Sequence, residues 1–226
     1  MKKLAKSVIG EITLDVLLVS FLFIVAFVVF GYLAHEVVGE QDNVFDEKVF
    51  AFFQGYSSPA FIATMKTITF FGTMTFILPA YILLIVFLFI KHRRTDAINI
   101  AIVGITSTGL MFGLKEFYHR HRPELPLMKA ATNFSFPSGH SLCSFIFCSV
   151  IVYLLWRGNI QKKWKWVFSV LLILFSISIG ISRIVLRYHF ASDVLAGFYL
   201  GVVWAFLALW LERKLTPRIV EQKLDA

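Results

Sequence analysis

Apolar residues run along this chain in long blocks separated by short polar connections. Six blocks approach the roughly 20 residues that an α-helix needs to cross a bilayer core: Ile12–Ala34, Thr73–Ile90, Ile98–Lys115, Ser141–Trp156, Trp166–Ile184 and Val194–Leu211. The pattern predicts an all-α, polytopic membrane protein with six transmembrane helices. An even number of crossings puts both termini on one side. In the connection after the first block, Phe45, Val49, Phe52 and Phe53 recur at helical spacing among charged neighbours. That predicts a short interfacial helix in the first outer loop, although a loop helix packed on the bundle has the same pattern. In the third block, Gly109 and Gly113 form a pair of small residues four apart, predicted to let helices approach closely.

Composition sharpens this picture. The chain is 58% apolar and only 16% charged, whereas soluble domains carry about 45–50% apolar residues and about a quarter charged. A soluble fold could not hide that much hydrocarbon. No linker, repeat or break in composition divides the sequence, so residues 1–226 are expected to form one transmembrane domain. The first block follows Met1-Lys2-Lys3, exceeds the length of a signal-peptide core and lacks a small-residue cleavage site, so it is expected to stay as a span. The two cysteines, Cys143 and Cys148, lie five apart in an apolar run, on different helix faces, and are expected to be buried packing residues rather than metal ligands.

Charge fixes an orientation. A net charge of +8 on a soluble protein would suggest nucleic acid, but here the cations sit at block ends, which is the signature of topology. Lys2, Lys3 and Lys6, then Lys91, Arg93 and Arg94, then Arg157, Lys162, Lys163 and Lys165, then Arg213, Lys214, Arg218 and Lys223 all fall on one side. They place that side, with both termini, in the cytoplasm. No nucleic-acid partner and no obligatory protein partner is expected. On the opposite side, Lys48 and Lys66 share a loop with Glu36, Glu40, Asp42, Asp46 and Glu47. The remaining cations, Lys115, Arg120, Arg122, Lys129, Arg183 and Arg187, crowd into short stretches at helix ends. That deposit opposes the topology rule and calls for another explanation.

Three clusters on that side carry candidate chemistry. The first is Lys115 with Arg122 and Pro123; seven residues are nearly two turns, so the two cations would share a face if the helix continued, with Pro123 expected to end it near Arg122. Two cations suit a dianion; interfacial snorkelling is the duller reading. The second is Pro137-Ser138-Gly139-His140, where Ser138 suits an N-cap and free N–H groups at a helix start offer an anion site. An ordinary capped helix with an incidental histidine reads the same way. The third is Ser182-Arg183, His189 and Asp193. Residues four apart share a face if both lie at the start of the last helix. A carboxylate on one imidazole nitrogen fixes the tautomer and leaves the other with a lone pair. A salt bridge at a helix start is the alternative.

Together the clusters resemble the three signature motifs of the type-2 phosphatidic-acid phosphatase superfamily: Lys-x6-Arg-Pro, Pro-Ser-Gly-His and Ser-Arg-x5-His-x3-Asp. Every motif position matches, from Lys115 to Asp193. The resemblance implies an integral membrane lipid phosphatase in which His189 is the nucleophile, Asp193 orients it and His140 protonates the leaving oxygen. It implies that Lys115, Arg122, Ser138, Gly139 and Arg183 bind the substrate phosphate, and that no cofactor or metal is needed. His119 and His121 could suggest a metal cluster with Glu116 and Glu124, but rim roles are favoured. His189 must be neutral while His140 is charged, which predicts a bell-shaped pH dependence. The implied substrate is a lipid phosphate within the bilayer, reached at the outer face of the cell membrane. Phosphatidylglycerophosphate ranks first and undecaprenyl diphosphate or a broader set of lipid phosphates second. A lipid transporter or scramblase is the alternative outside enzymes.

Overall fold

The computed structural model describes the backbone of residues 2–39, 43–129 and 132–224, and the side chains of residues 17–32, 34–39, 43–129 and 132–211. The cations at Lys2, Lys3, Lys6, Arg213, Lys214, Arg218 and Lys223 and the loop acids Glu40 and Asp42 lie outside the described side chains. Helix α1 (Lys2–Ala34) runs into a π-helical turn, His35–Gly39. Then come α2 (Val44–Gln54), α3 (Pro59–Phe70), α4 (Met74–Ile90) and α5 (Arg94–Tyr118). Helices α6 (Gly139–Arg157), α7 (Lys162–Val185) and α8 (Ala191–Leu224) complete the order. Six stretches are long and apolar enough to cross a membrane, from Leu17–Gly39 to Ala191–Leu211. Even the most enclosed of them have only 39% of their apolar window buried. Leu83, Phe87 and Ile90 on α4, with Phe21, Phe27 and Val28 on α1, turn outward, which only a hydrocarbon surround makes favourable. Helices satisfy their own backbone groups, as that surround demands.

The six expected spans are present, and three details differ from the sequence pattern. First, the chain before Thr73 contains an additional helix. Ser58 caps α3 by accepting a hydrogen bond from the Phe61 N–H at 3.3 Å, with Pro59 in the first turn. Its threonines are absorbed locally, Thr64 and Thr67 donating to the Ala60 and Ala63 carbonyls one turn back. Those threonines and Lys66 break the apolar run that marks a span, although α3 continues into α4 across Phe71–Thr73. Second, α2 both docks and faces outward. Asp46 is buried and Val49, Phe50 and Phe53 pack on α7 and α8, while Val44, Phe45 and Phe52 are exposed. Third, among the described residues Gly109 and Gly113 receive no partner: a Cβ at either would meet nothing within 4 Å. The glycine that packs closely is Gly104, where an added Cβ would stand 3.2 Å from Tyr81 Cε1.

Helix α6 is central and packs most extensively on α7 and α8. Cys143 and Cys148 are buried free thiols within it. At one end of the bundle Phe30 of α1 stacks against Phe136 and Tyr199, at centroid distances of 5.7 and 6.4 Å, making an aromatic floor under the loop that precedes α6. At the other end, Leu88, Ala97, Ile100 and Val150 enclose the base of α5. There Asp96 pairs with Arg93 at 2.6 Å and Arg157 at 2.5 Å. The C-terminal ends of α5 and α7 and the N-terminal ends of α6 and α8 meet above the aromatic floor.

Candidate active site

Helix α5 stops at Tyr118, well before Pro123, because His119 takes a left-handed conformation (φ 51°) and closes the helix through its N–H to the Lys115 carbonyl. Arg122 therefore does not share a helical face with Lys115, and the extended helix expected from the sequence is corrected. The loop before α6 brings the two cations together instead. Lys115 Nζ donates to the carbonyls of Phe134 and Ser135 at 2.6 and 3.1 Å. Arg122 donates to the carbonyl and side-chain oxygen of Asn133, at 2.9 and 2.7 Å, and to the Tyr188 carbonyl at 2.6 Å.

Ser138 is the N-cap of α6. Its hydroxyl accepts from the Ser141 N–H and hydroxyl, and its own N–H donates to the Asp193 carbonyl at 3.0 Å. It is fully buried behind the cavity wall, whereas Gly139 and His140 line the cavity. The His140 ring lies against the break between α3 and α4. A Cβ at Gly72 would stand 2.7 Å from His140 Cδ2 and 2.6 Å from Ile179 Cγ2, so only glycine permits this approach. His140 Nε2 and Arg183 Nε are buried without a hydrogen-bond partner among the described residues.

Arg183 sits in the last turn of α7. It donates to Thr69 Oγ1 at 2.7 Å, and its guanidinium lies 4.1 Å over the Tyr188 ring. His189 precedes α8 rather than opening it. The four-residue spacing still works, because the Asp193 carboxylate folds back over the helix start and accepts the Phe190 N–H at 2.9 Å. Its Oδ2 is 3.4 Å from His189 Nδ1. Ser135 joins this pair: its hydroxyl donates to Asp193 Oδ2 and lies 3.3 Å from His189 Nδ1. On the other side of the ring, Arg122 Nη1 is 3.2 Å from Nε2. A guanidinium only donates, so Nε2 carries the lone pair and Nδ1 the proton. Burial first, then the charges of Arg122, Arg183 and Lys115, hold His189 well below the ordinary imidazole value of 6.5. Burial also lowers Arg122 from its usual value.

These groups surround a cavity of about 240 Å³, walled by Lys115, Arg122, Gly139, His140, Arg183 and His189. Asn133 and Tyr188 also line it. Sequence reasoning missed them, and missed Ser135, because none belongs to a spaced motif; only a turn that closes on Arg122 reveals them. Asp193, like Ser138, stands behind the wall. Among the described residues no carboxylate lies within ion-pair distance of Lys115, Arg122 or Arg183. The cavity shares Met74, Phe112 and Cys143 with an apolar groove of about 530 Å³ between α4 and α5. Beyond Arg122 lies a wider polar vestibule of about 900 Å³ that His119 and His121 line. Among the described residues no group of three or more His, Cys, Asp or Glu side chains is placed to hold a metal.

This arrangement can hold a tetrahedral dianion against a nucleophilic imidazole. Residues 96–217 match the PAP2 superfamily. A Bacillus subtilis (strain 168) protein named phosphatidylglycerophosphatase B is 33% identical over 153 residues, 67% of this chain and 75% of that protein. An undecaprenyl-diphosphatase from Sulfolobus acidocaldarius is 25% identical over 214 residues, 91% of this chain and 97% of that protein. The crystal structure of a transmembrane PAP2-type phosphatidylglycerolphosphate phosphatase from Bacillus subtilis superposes with a TM-score of 0.78 at 29% identity, covering 85% of this chain and 96% of that one. By its sequence, its six spans and the cluster at their end, the chain belongs to the PAP2 superfamily and is a multi-pass membrane phosphatase.

Proposed function

We propose that the chain hydrolyses the terminal phosphomonoester of phosphatidylglycerophosphate through a phosphohistidine on His189. The carrying observation is the convergence on one cavity, which also holds His189 and His140, of three cations that have no carboxylate partner among the described residues. His189 Nε2 attacks phosphorus, the bond to the lipid oxygen breaks, and His140 gives that oxygen its proton. His140 then takes a proton from water, which attacks the phosphohistidine and releases inorganic phosphate. Asp193 and Ser135 receive the Nδ1–H throughout and stabilise the imidazole as its charge grows. Lys115, Arg122 and Arg183, with the Gly139 N–H at the start of α6, hold the non-bridging oxygens, and positioning with charge neutralisation supplies most of the acceleration. The Ser138 hydroxyl acts through the cap that aims Gly139 and His140. Phosphate oxygens would also give His140 Nε2 and Arg183 Nε the partners they lack.

The cation distribution along the sequence supports a site at the outer face of the cell membrane with both termini in the cytoplasm. The substrate is a lipid within the bilayer, and the shared walls of cavity and groove let its tail stay between α4 and α5 while its phosphate reaches Arg122. The chemistry needs no metal, so activity is expected to survive excess chelator. The similarity to the Bacillus subtilis phosphatases supports the ranking of substrates. The longer alignment with the Sulfolobus enzyme favours undecaprenyl diphosphate as second reading.

Two measurements test this. Purified protein is expected to release phosphate from the lipid, and His189→Ala to lose roughly a thousandfold or more in kcat. A His189→Ala variant as active as the native protein would remove the nucleophile. Ranking phosphatidylglycerophosphate, undecaprenyl diphosphate and phosphatidic acid by kcat/KM decides the substrate.

A further inference from the structure

Arg120 belongs to none of the three motifs, yet its side chain donates four hydrogen bonds at the site end. It is buried, with 8% of its surface exposed. One nitrogen, Nη1, donates to Asp193 Oδ1 at 2.6 Å and to the Ser192 hydroxyl at 2.8 Å. The other, Nη2, donates to Asp46 Oδ2 and to Asn43 Oδ1, both at 2.9 Å. Its guanidinium lies 4.0 Å over the ring of Phe190, the residue next to His189. Its carbonyl accepts the Ser135 N–H at 2.8 Å, and the Ser135 hydroxyl in turn donates to Asp193. Asp46 is a fully buried carboxylate on α2 that also accepts from the Ser192 N–H at 2.8 Å and hydroxyl at 2.6 Å. One cation is thus shared between two buried carboxylates, one on the interfacial helix and one behind the nucleophile.

We infer that Arg120 is a positioning residue that divides its charge between Asp46 and Asp193, and so sets how much negative charge Asp193 presents to His189. Its fork is what the task needs. A planar guanidinium reaches two carboxylates on opposite sides at fixed angles, which an ammonium cannot. Removing it leaves Asp193 unopposed and loosens α2 from the start of α8. Removing Asp46 instead turns the whole guanidinium charge on Asp193. The two changes therefore push His189 in opposite directions, although both break the same network. The other charged and titratable groups facing His189 are Lys115 from α5, Arg122 from the loop after it, His140 from α6 and Arg183 from α7, and both variants leave them in place. Arg120 lines the vestibule rather than the phosphate cavity, so its loss acts on the nucleophile and not on phosphate binding.

The inference rests on His189 as nucleophile, and the experiment separates the two. Full-length Arg120→Gln, Arg120→Lys, Asp46→Asn and His189→Ala proteins are assayed in one detergent for kcat, KM and the pH dependence of kcat. Arg120→Gln is expected to lower kcat roughly 10- to 100-fold, the scale for outer partners of an oriented histidine, with KM changed less than threefold by the same reasoning. Its acidic limb moves to higher pH, because the unopposed carboxylate stabilises the imidazolium. Asp46→Asn moves that limb to lower pH, and Arg120→Lys restores part of kcat. Should Arg120→Gln fail to fold, the Asp46→Asn displacement and the Arg120→Lys rescue carry the test. Limbs that coincide with the native one in the folded variants overturn the inference, as does a loss confined to KM. An active His189→Ala protein overturns the nucleophile instead.

Discussion

The two ends of the bundle each hold a cluster of charge, and they are built on opposite rules. At the base of α5, Asp96 accepts from both Arg93 and Arg157, so each cation faces a carboxylate. At the other end, Lys115, Arg122 and Arg183 are held by carbonyls, an amide oxygen and a hydroxyl. Neutral dipoles orient a cation without cancelling it. The first cluster is complete within the chain and serves to join helices. The second keeps its charge available and costs stability to hold, as the proposed phosphate site requires. Between these cases stands Arg120, which is at the site end yet paired with Asp46 and Asp193. The paired cations at the base are partly exposed, whereas Lys115 and Arg183 are buried and, among the described residues, lack a carboxylate partner.

The contrast can be broken in several ways. The largest effect is expected for Lys115→Gln and Arg183→Gln, each losing about 100- to 1000-fold in kcat with unchanged thermal stability or a slight gain, because a repelling charge has been removed. A matching loss of stability would make these cations structural. Next, inorganic phosphate at about 100 times its dissociation constant should stabilise the native protein by about 2.7 kcal/mol, and the Arg183→Gln protein far less, as read by thermal unfolding in detergent. Equal stabilisation of both would place the anion elsewhere. At the other end, Asp96→Asn should cost about 1 kcal/mol, a figure held down because Arg93 and Arg157 are a third or more exposed, and leave kcat untouched. The smallest effect concerns Gly109→Ala, expected to raise stability by at most about 1 kcal/mol through helix propensity alone, since no neighbour meets the new methyl.

His189 adds a test by pH. Its folded value lies below its unfolded value of 6.5, so below that pH the unfolded chain takes up the proton more readily. Stability is complete above pH 6.5 and falls as pH drops from there towards the folded value. The imidazole itself stays neutral into that acidic window, as the proposed attack requires. Histidine NMR that shows His189 titrating at or above 6.5 would contradict the lowering assigned first to burial and then to the three cations.

Much of this molecule is legible in the sequence, and the reasons differ by feature. Spans are legible because lipid imposes length and apolarity on consecutive residues. His189 and Asp193 are legible because four positions bring them together even though His189 stands outside α8. Helix α3 was hidden by Thr64, Lys66 and Thr67, since polar residues that bond their own helix look like loop. Arg122 was legible by type but not by placement: Pro123 suggested where α5 ends, while His119 ends it earlier. Ser135, Asn133 and the partnership of Arg120 with Asp46 depend on contacts between distant parts of the chain, across 74 residues in the last case, and no local pattern encodes them.

Met74, Phe112 and Cys143 wall both the cavity at His189 and the apolar groove. A catalyst fed through such a shared wall samples its substrate by area rather than by volume. Its rate should follow the mole fraction of the phospholipid in the membrane, saturate as that fraction rises, and fall when neutral lipid is added at constant bulk concentration. The cell would then set the flux by the composition of the bilayer around the protein.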